Sequence, residues 1–220
     1  MKLEWIDNID AVFFDMDGTL LDSEPLTELA ISQLLHRFEI PDTLDATQFH
    51  GVTWKSIAKT LCELYPELSD VQVANELAIS FHSTLISNTP PPILGAPAAV
   101  KTISKHVKTA VVSSSRRPTI EHVVENLGLN PYIQIIVGAE DVQHSKPHPQ
   151  CFQMAADRLG VSYERCLVFE DSIAGVKSAK AAGMYAIGIG HSEEKEVLAD
   201  MIISNFLALP ESFFASLGGE

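Results

Sequence analysis

The stretch Ala11-Val12-Phe13-Phe14-Asp15-Met16-Asp17-Gly18-Thr19-Leu20-Leu21-Asp22 decides how this chain is read. Four apolar residues, Ala11 to Phe14, run straight into an acid. A short unbroken apolar run bounded by turn residues marks a strand buried on both faces, as in a parallel sheet. Its carboxyl end carries Asp15 and Asp17, followed by Gly18. Open α/β sheets bind their ligands at that edge. Two carboxylates so close repel each other unless a cation or a proton lies between them. The pair therefore points to a divalent metal, a shared proton, or both. The plainer alternative is a strand ending in a polar turn, with Asp17 and Gly18 supplying turn chemistry.

Past Asp22 the pattern changes. Residues 24–38, 53–64 and 71–87 read as amphipathic helices, with Leu26, Leu29, Leu34 and Leu35 on the first and Val73, Leu77, Phe81 and Leu85 on the third. Pro90, Pro91 and Pro92 stop that block with a stiff connector. Beyond it helices and strands alternate. Helices are expected at 95–106, 118–127, 149–159 and 172–182, and strands at 109–113, 133–138, 166–170, 185–189 and 202–204. The alternation predicts an α/β fold with a doubly wound, parallel, Rossmann-like sheet. Residues 1–22 and 89–220 form that core. Residues 23–88 form an all-helical insertion after its first strand, expected over the ligand-binding edge.

A chain of 220 residues buries a large core without disulfides or structural metal. The net charge of −14 argues against a nucleic-acid partner. Cys62, Cys151 and Cys166 are odd in number and widely spaced, with no Cys-x-x-Cys pair. A zinc site and a disulfide framework are not expected, which fits a reducing cytoplasm. Glu4, Asp7 and Asp10 interrupt any apolar leader, and no run of about eighteen apolar residues suggests a membrane span. The expectation is a cytoplasmic monomer acting on a small metabolite, with neither nucleic acid nor membrane as partner.

Three further polar clusters follow expected strands. Val111 and Val112 lead into Ser113, Ser114 and Ser115, and a hydroxyl with free amides beside it suits a phosphate oxygen. Lys146 stands in Ser145-Lys146-Pro147-His148-Pro149, where prolines fix the backbone around a cation. Val168 and Phe169 lead into Glu170-Asp171-Ser172. Each cluster alone has a bland reading: a turn, a surface lysine, a helix cap. All four in order assemble acids for a hard cation, one fixed positive charge, and hydroxyl and amide donors. That is equipment for phosphoryl transfer.

These residues resemble the haloacid dehalogenase superfamily. The resemblance rests on Asp15-Met16-Asp17-Gly18-Thr19, Ser113, Lys146 with Pro147, and Glu170-Asp171, and spans nearly the whole chain. Asp22-Ser23-Glu24-Pro25-Leu26 and Glu170-Asp171-Ser172-Ile173-Ala174-Gly175 are similar to the branch of β-phosphoglucomutases and sugar-phosphate phosphatases with a helical cap. The resemblance makes Asp15 the nucleophile that forms an aspartyl-phosphate. It makes Asp17 the general acid and then base, and Lys146 the catalytic cation that also meets the phosphate. It gives Mg²⁺ as cofactor, held by Asp15, Asp171 and the main-chain carbonyl of Asp17, with Glu170 acting directly or through water. Ser113 and the amides near Ser114 bind phosphate oxygens.

Departures from the family patterns narrow the activity. Dehalogenase members lack the second acid, and Asp17 is present. Phosphonatase members carry a lysine just after a cap glycine, whereas Lys55 comes late after Gly51. β-Phosphoglucomutases carry a cap histidine and a cap-loop arginine, and Thr27 and Trp54 stand in their places. The arginine would clamp a second phosphate, so its absence favours hydrolysis. His50, Trp54 and Lys55 are candidate specificity residues, with Trp54 able either to stack on substrate or to pack. Arg116 and Arg117 either reach a substrate phosphate or solvate their loop. The implied function is a Mg²⁺-dependent phosphatase of small phosphomonoesters, sugar phosphates above all. A phosphohexose mutase and a non-catalytic binding protein on the same fold are the alternatives.

Overall fold

Strand β1 is Ala11–Phe14, with all four residues fully buried. The computed structural model describes residues 5–49, 52–69 and 71–218. The described chain divides into two compact units, Ser23–Pro90 and the remainder.

The first unit holds α1 (Glu24–Arg37), α2 (Trp54–Leu64) and α3 (Val73–Ser87). Their apolar stripes form its core: Ile31, Leu34 and Leu35 from α1, Ile57 and Leu61 from α2, Leu77, Phe81 and Leu85 from α3. The side chain of Thr53 caps α2 by accepting from the Ser56 amide at 3.3 Å. Arg37 and Glu76 pair across α1 and α3 at 2.6 Å, too exposed to contribute much stability.

The second unit continues after β1 with α4 (Ala96–Ile103), β2 (Lys108–Val112), α5 (Arg117–Asn126), β3 (Ile135–Val137), α6 (Gln150–Leu159), β4 (Cys166–Glu170), α7 (Ile173–Ala181), β5 (Tyr185–Ile189), α8 (Glu193–Leu198), β6 (Met201–Ile203) and α9 (Glu211–Ser216). All neighbouring strands are parallel, in the order β3-β2-β1-β4-β5-β6. This is the doubly wound sheet expected from the alternation. The chain steps outward from β1 to β3, crosses back, and steps outward again from β4 to β6. The reversal lies between β1 and β4, so the ligand-binding crevice falls at their carboxyl ends.

Strand geometry sends successive side chains to opposite faces. Phe13 joins Ala110, Val112, Val168, Phe152 and Val176 in one core layer. Phe14 faces the other way, opposite Phe169 in the register, and their rings stack at 5.4 Å. Phe206 and Phe213 close over Phe169. Burial on both faces explains why β1 and β4 read as continuous apolar runs and not as alternations.

Several boundaries differ from expectation. The third strand is only Ile135–Val137, because Asn130–Tyr132 forms a 3-10 turn before it and Ala139–Asp141 another after it. Helix α4 ends at Ile103 and not near His106. Helices α8 and α9 were not expected. Glu193–Leu198 carries four charged residues in six and has no apolar stripe, which removes the periodic signal. Among the described residues no helix is long and apolar enough to cross a membrane. Cys151 and Cys166 are buried free thiols.

Trp54 lies half-buried with its ring edge-on to Phe81 at 5.3 Å. That contact is packing within the helical unit. Lys55 is exposed, and His50 lies outside the described residues. Two substitutions test these layers. Phe169→Ala should cost about 3–5 kcal/mol in a urea titration, since it empties the space between Phe14 and Phe213. Trp54→Ala should lower the thermal midpoint and reduce activity on every substrate by a similar factor. A change confined to substrate ranking would instead give Trp54 a recognition role.

Candidate active site

The chain beyond β1 stays on the sheet for one more residue, since the Asp15 amide donates to the Phe169 carbonyl at 3.0 Å. This fixes the Asp15 side chain at the head of the crevice between β1 and β4. The chain then curls: the amides of Leu20 and Leu21 return to the Met16 carbonyl at 2.8 and 3.1 Å, and Gly18 donates to Leu21 at 2.8 Å. Gly18 has φ +74°, and a Cβ there would stand 2.2 Å from Asp171 Oδ2. Both the left-handed backbone and the approach of Asp171 require glycine.

Lys146 reaches this point from the segment before α6. Its Nζ donates to Asp15 Oδ1 at 2.6 Å, to Glu170 Oε2 at 2.7 Å and to the Val112 carbonyl at 3.2 Å. The Lys146 side chain is 8% exposed and Glu170 1%. Its ammonium also sits 5.0 Å from the centre of the Phe152 ring. Burial pulls the Lys146 ammonium down, but the charges of Asp15 and Glu170 outweigh burial and hold it above its ordinary value. Burial, reinforced by the Glu170 charge, pushes the Asp15 carboxyl well up, against the pull of Lys146.

The other oxygen of Glu170 is equally committed. Oε1 accepts from the Ser172 amide at 3.0 Å and from the Ser172 hydroxyl at 2.8 Å. Ser172 in turn caps α7 by accepting from the Gly175 amide at 3.0 Å. A Cβ on Gly175 would lie 1.9 Å from Glu170 Cδ, so glycine is needed for Glu170 to reach Lys146. The sequence showed Gly175 within a motif, but only the packing shows why it is there.

Oxygens of Asp15, Glu170 and Asp171 lie within 4.8 Å of one another. Three carboxylates beside one ammonium leave an excess of negative charge in a buried place. An all-oxygen set of this kind fits a hard divalent cation, and Mg²⁺ with retained waters suits it. The Asp17 carboxylate is not in that group. It accepts from the Ser115 hydroxyl at 3.0 Å. In the sequence Ser115 is one of a run of three serines, and its link to Asp17 spans 98 residues, beyond any local pattern. Thr19, fully buried, approaches Asp171 Oδ1 at 3.5 Å, the outer limit of a hydrogen bond.

Ser113 is buried, and its Oγ accepts from the Ser115 amide at 3.0 Å. Its hydroxyl proton is thereby available to an anionic oxygen. Ser114 is exposed, so only its backbone suits that task. A cavity of about 230 Å³ opens here, lined by Ser113, Ser114, Ser145, Lys146 and Cys151. A larger hollow of about 590 Å³ lies along residues 143–149 with His144 and His148, whose rings are 4.6 Å apart. It contains none of the acids, so size alone does not mark the site. Arg116 and Arg117 are tied to the loop after β3: Arg116 meets Glu140 at 3.4 Å, and Arg117 meets Asp141 at 2.7 Å.

Comparison with known proteins agrees with this geometry. A fructose-1-phosphate phosphatase, YqaB, of Escherichia coli is 34% identical over 181 residues, covering 81% of this chain and 95% of its own. A phosphorylated carbohydrates phosphatase of Thermotoga maritima is 33% identical over 192 residues, covering 84% and 87%. The crystal structure of a β-phosphoglucomutase from Clostridium difficile superposes with a TM-score of 0.75 at 25% identity, over 94% of this chain and 96% of that one. A family model for haloacid dehalogenase-like hydrolases matches residues 9–183, from just before β1 to the end of α7. With the acids of β1 and β4 bound to one lysine inside that span, the chain belongs to the haloacid dehalogenase-like hydrolase family.

Proposed function

We propose that the protein is a phosphoric monoester hydrolase that releases inorganic phosphate from small phosphorylated metabolites, sugar phosphates foremost. The observation that carries this reading is the buried Lys146 ammonium between Asp15 and Glu170, with Asp171 beside them. Phosphatases that act on fructose 1-phosphate and on phosphorylated carbohydrates among its relatives support the substrate class.

Asp15 and Asp171 would hold Mg²⁺ together with the main-chain carbonyl of Asp17, and Glu170 would act through water because both its oxygens are engaged. Bound there, Mg²⁺ would neutralise the excess carboxylate charge and that of the phosphoryl group. The Lys146 charge favours the ionised, nucleophilic form of Asp15. Ser113 and the Ser114 backbone hold the phosphoryl oxygens. An Asp15 oxygen attacks phosphorus. The bond to the leaving alcohol oxygen breaks as Asp17 gives that oxygen its proton. Asp17 then takes a proton from water, which attacks the aspartyl-phosphate, freeing Asp15 and inorganic phosphate. Ser115 orients Asp17 throughout. The helical unit, joined to the core by chain crossings at 22–23 and 90–91, is assigned the selection of substrate. Thr27 is buried on α1 and Trp54 packs on Phe81. Neither supplies the histidine or arginine of the mutase pattern.

A panel of hexose phosphates, pentose phosphates and phosphoglycolate, assayed with Mg²⁺ for both phosphate and sugar products, tests the reading. Phosphate release with the highest kcat/KM on a sugar phosphate is expected. Interconversion of hexose phosphates with little phosphate would make the protein a mutase.

Asp15→Asn should abolish turnover while leaving the thermal midpoint close to that of the parent. Excess chelator should stop hydrolysis, and Mg²⁺ should restore it; full activity in chelator would remove the cation from the mechanism. Gly175→Ala should displace Glu170 and, through it, Lys146. A misplacement of about 1 Å costs on the order of 10²-fold in kcat. Unchanged kcat would show that Glu170 does not fix the lysine.

A further inference from the structure

Helix α8 buries a residue that its sequence pattern would expose. Lys195 is 7% exposed, whereas Val197, two residues on, is 84% exposed. The lysine stem runs past the end of β5: a Cβ on Gly188 would stand 3.8 Å from Lys195 Cβ, and one on Gly190 3.6 Å from its Nζ. Nζ donates to two main-chain carbonyls, that of Asp171 at 2.7 Å and that of Ile189 at 2.5 Å. Burial pulls this ammonium below its ordinary value, against the charges of Asp171 and Glu170, which favour it. Ser192 caps the short helix by accepting from the Lys195 amide at 3.4 Å, which sets the lysine's place on it.

Burying an ammonium against neutral carbonyls is costly, and an aliphatic side chain of similar volume fills such a space more cheaply. What the aliphatic chain cannot do is bind the Asp171 carbonyl. Asp171 lies in the two-residue link between β4 and α7. Ser172 is fastened to Glu170 on one side, and the Asp171 carboxylate lies against Gly18 on the other. Holding the carbonyl of a link this short fixes the direction of the carboxylate.

We propose that Lys195 is a positioning residue which, through the Asp171 main-chain carbonyl, holds the Asp171 carboxylate in the cation-binding group. The inference rests on that part of the proposed function which places a divalent cation at Asp15, Glu170 and Asp171, and not on the reaction the cation serves. It makes α8, outside the span of the family match, a working part of the site.

The sign of one measurement separates positioning from electrostatics. An ammonium that acted only through its charge would repel the cation, so its removal would tighten binding. An ammonium that positions a ligand loosens binding when removed. The full-length protein, stripped of metal, is titrated with Mn²⁺ and free Mn²⁺ is read by electron paramagnetic resonance. Parent, Lys195→Met, Lys195→Arg and Asp171→Asn are compared, with thermal midpoints alongside. Lys195→Met should raise the Mn²⁺ dissociation constant about 10-fold, as loss of a group that orients a metal ligand does, with a thermal midpoint equal to or above the parent's. Lys195→Arg, which keeps the donors, should recover part of the affinity. If Lys195→Met does not fold, Lys195→Gln is judged by the same change. Unchanged or tighter Mn²⁺ binding, or a loss that follows a falling thermal midpoint and is not recovered by arginine, overturns the role of Lys195 alone. A parent protein that binds no Mn²⁺ overturns the cation site and this inference with it, whereas binding without any phosphatase activity overturns the hydrolase reading and leaves the inference standing.

Discussion

Three carboxylates, Asp15, Glu170 and Asp171, share the head of the β1–β4 crevice with the buried ammonium of Lys146. Like charges in a poorly hydrated place cannot all stay ionised without compensation, and the upward push on Asp15 records that strain. One lysine relieves part of it. A divalent cation at the three acids would relieve the rest, and a phosphoryl group would then meet a site whose excess had been cancelled. A further ammonium donating to these carboxylate oxygens would stabilise the free protein and weaken the attraction for the cation.

Holding the charges this close falls to the backbone. Gly18 and Gly175 leave room for Asp171 and Glu170 to a degree that no other residue allows. Ser172 does two things at once, accepting from the α7 amides and donating to Glu170. The helix therefore cannot shift without moving the acid that holds Lys146. Lys146 in turn donates to the Val112 carbonyl at the end of β2, so three strand ends meet at one nitrogen. The ends of β1, β2 and β4 thus fix where Asp15, Lys146 and Glu170 meet.

Much of this was legible because the signal is local. Ala11–Phe14 and Cys166–Glu170 announce buried strands by composition alone, and each ends in its acids. Asp15, Asp17 and Glu170-Asp171 stand out as acids at a strand end, and Lys146 as a cation among prolines before α6. What was not legible depends on separations the sequence cannot express. Lys146 and Asp15 are 131 residues apart, and Ser115 and Asp17 are 98 apart. Arg116 and Arg117 left two readings open, because their partners Glu140 and Asp141 lie in a loop whose path is set by the short β3. Lys195 was invisible for a different reason. Hydropathy assigns Val197 inward and lysine outward, and the structure reverses both.

That reversal concerns the α/β unit alone, since Lys195 and Asp171 both lie in it. Asp15 and Glu170 lie at strand ends of the α/β unit, within the span that the family model matches. Contacts from elsewhere bear on the acids beside them: the Ser115 hydroxyl donates to Asp17, and the Lys195 ammonium donates to the Asp171 main-chain carbonyl. Contacts of this kind constrain where a carboxylate lies. In the helical unit Thr27 is buried on α1 and Trp54 packs on Phe81, so neither carries the histidine or the arginine of the mutase pattern. Under the proposed hydrolase reading, the lack of an arginine to clamp a second phosphate would leave water as the acceptor of the phosphoryl group.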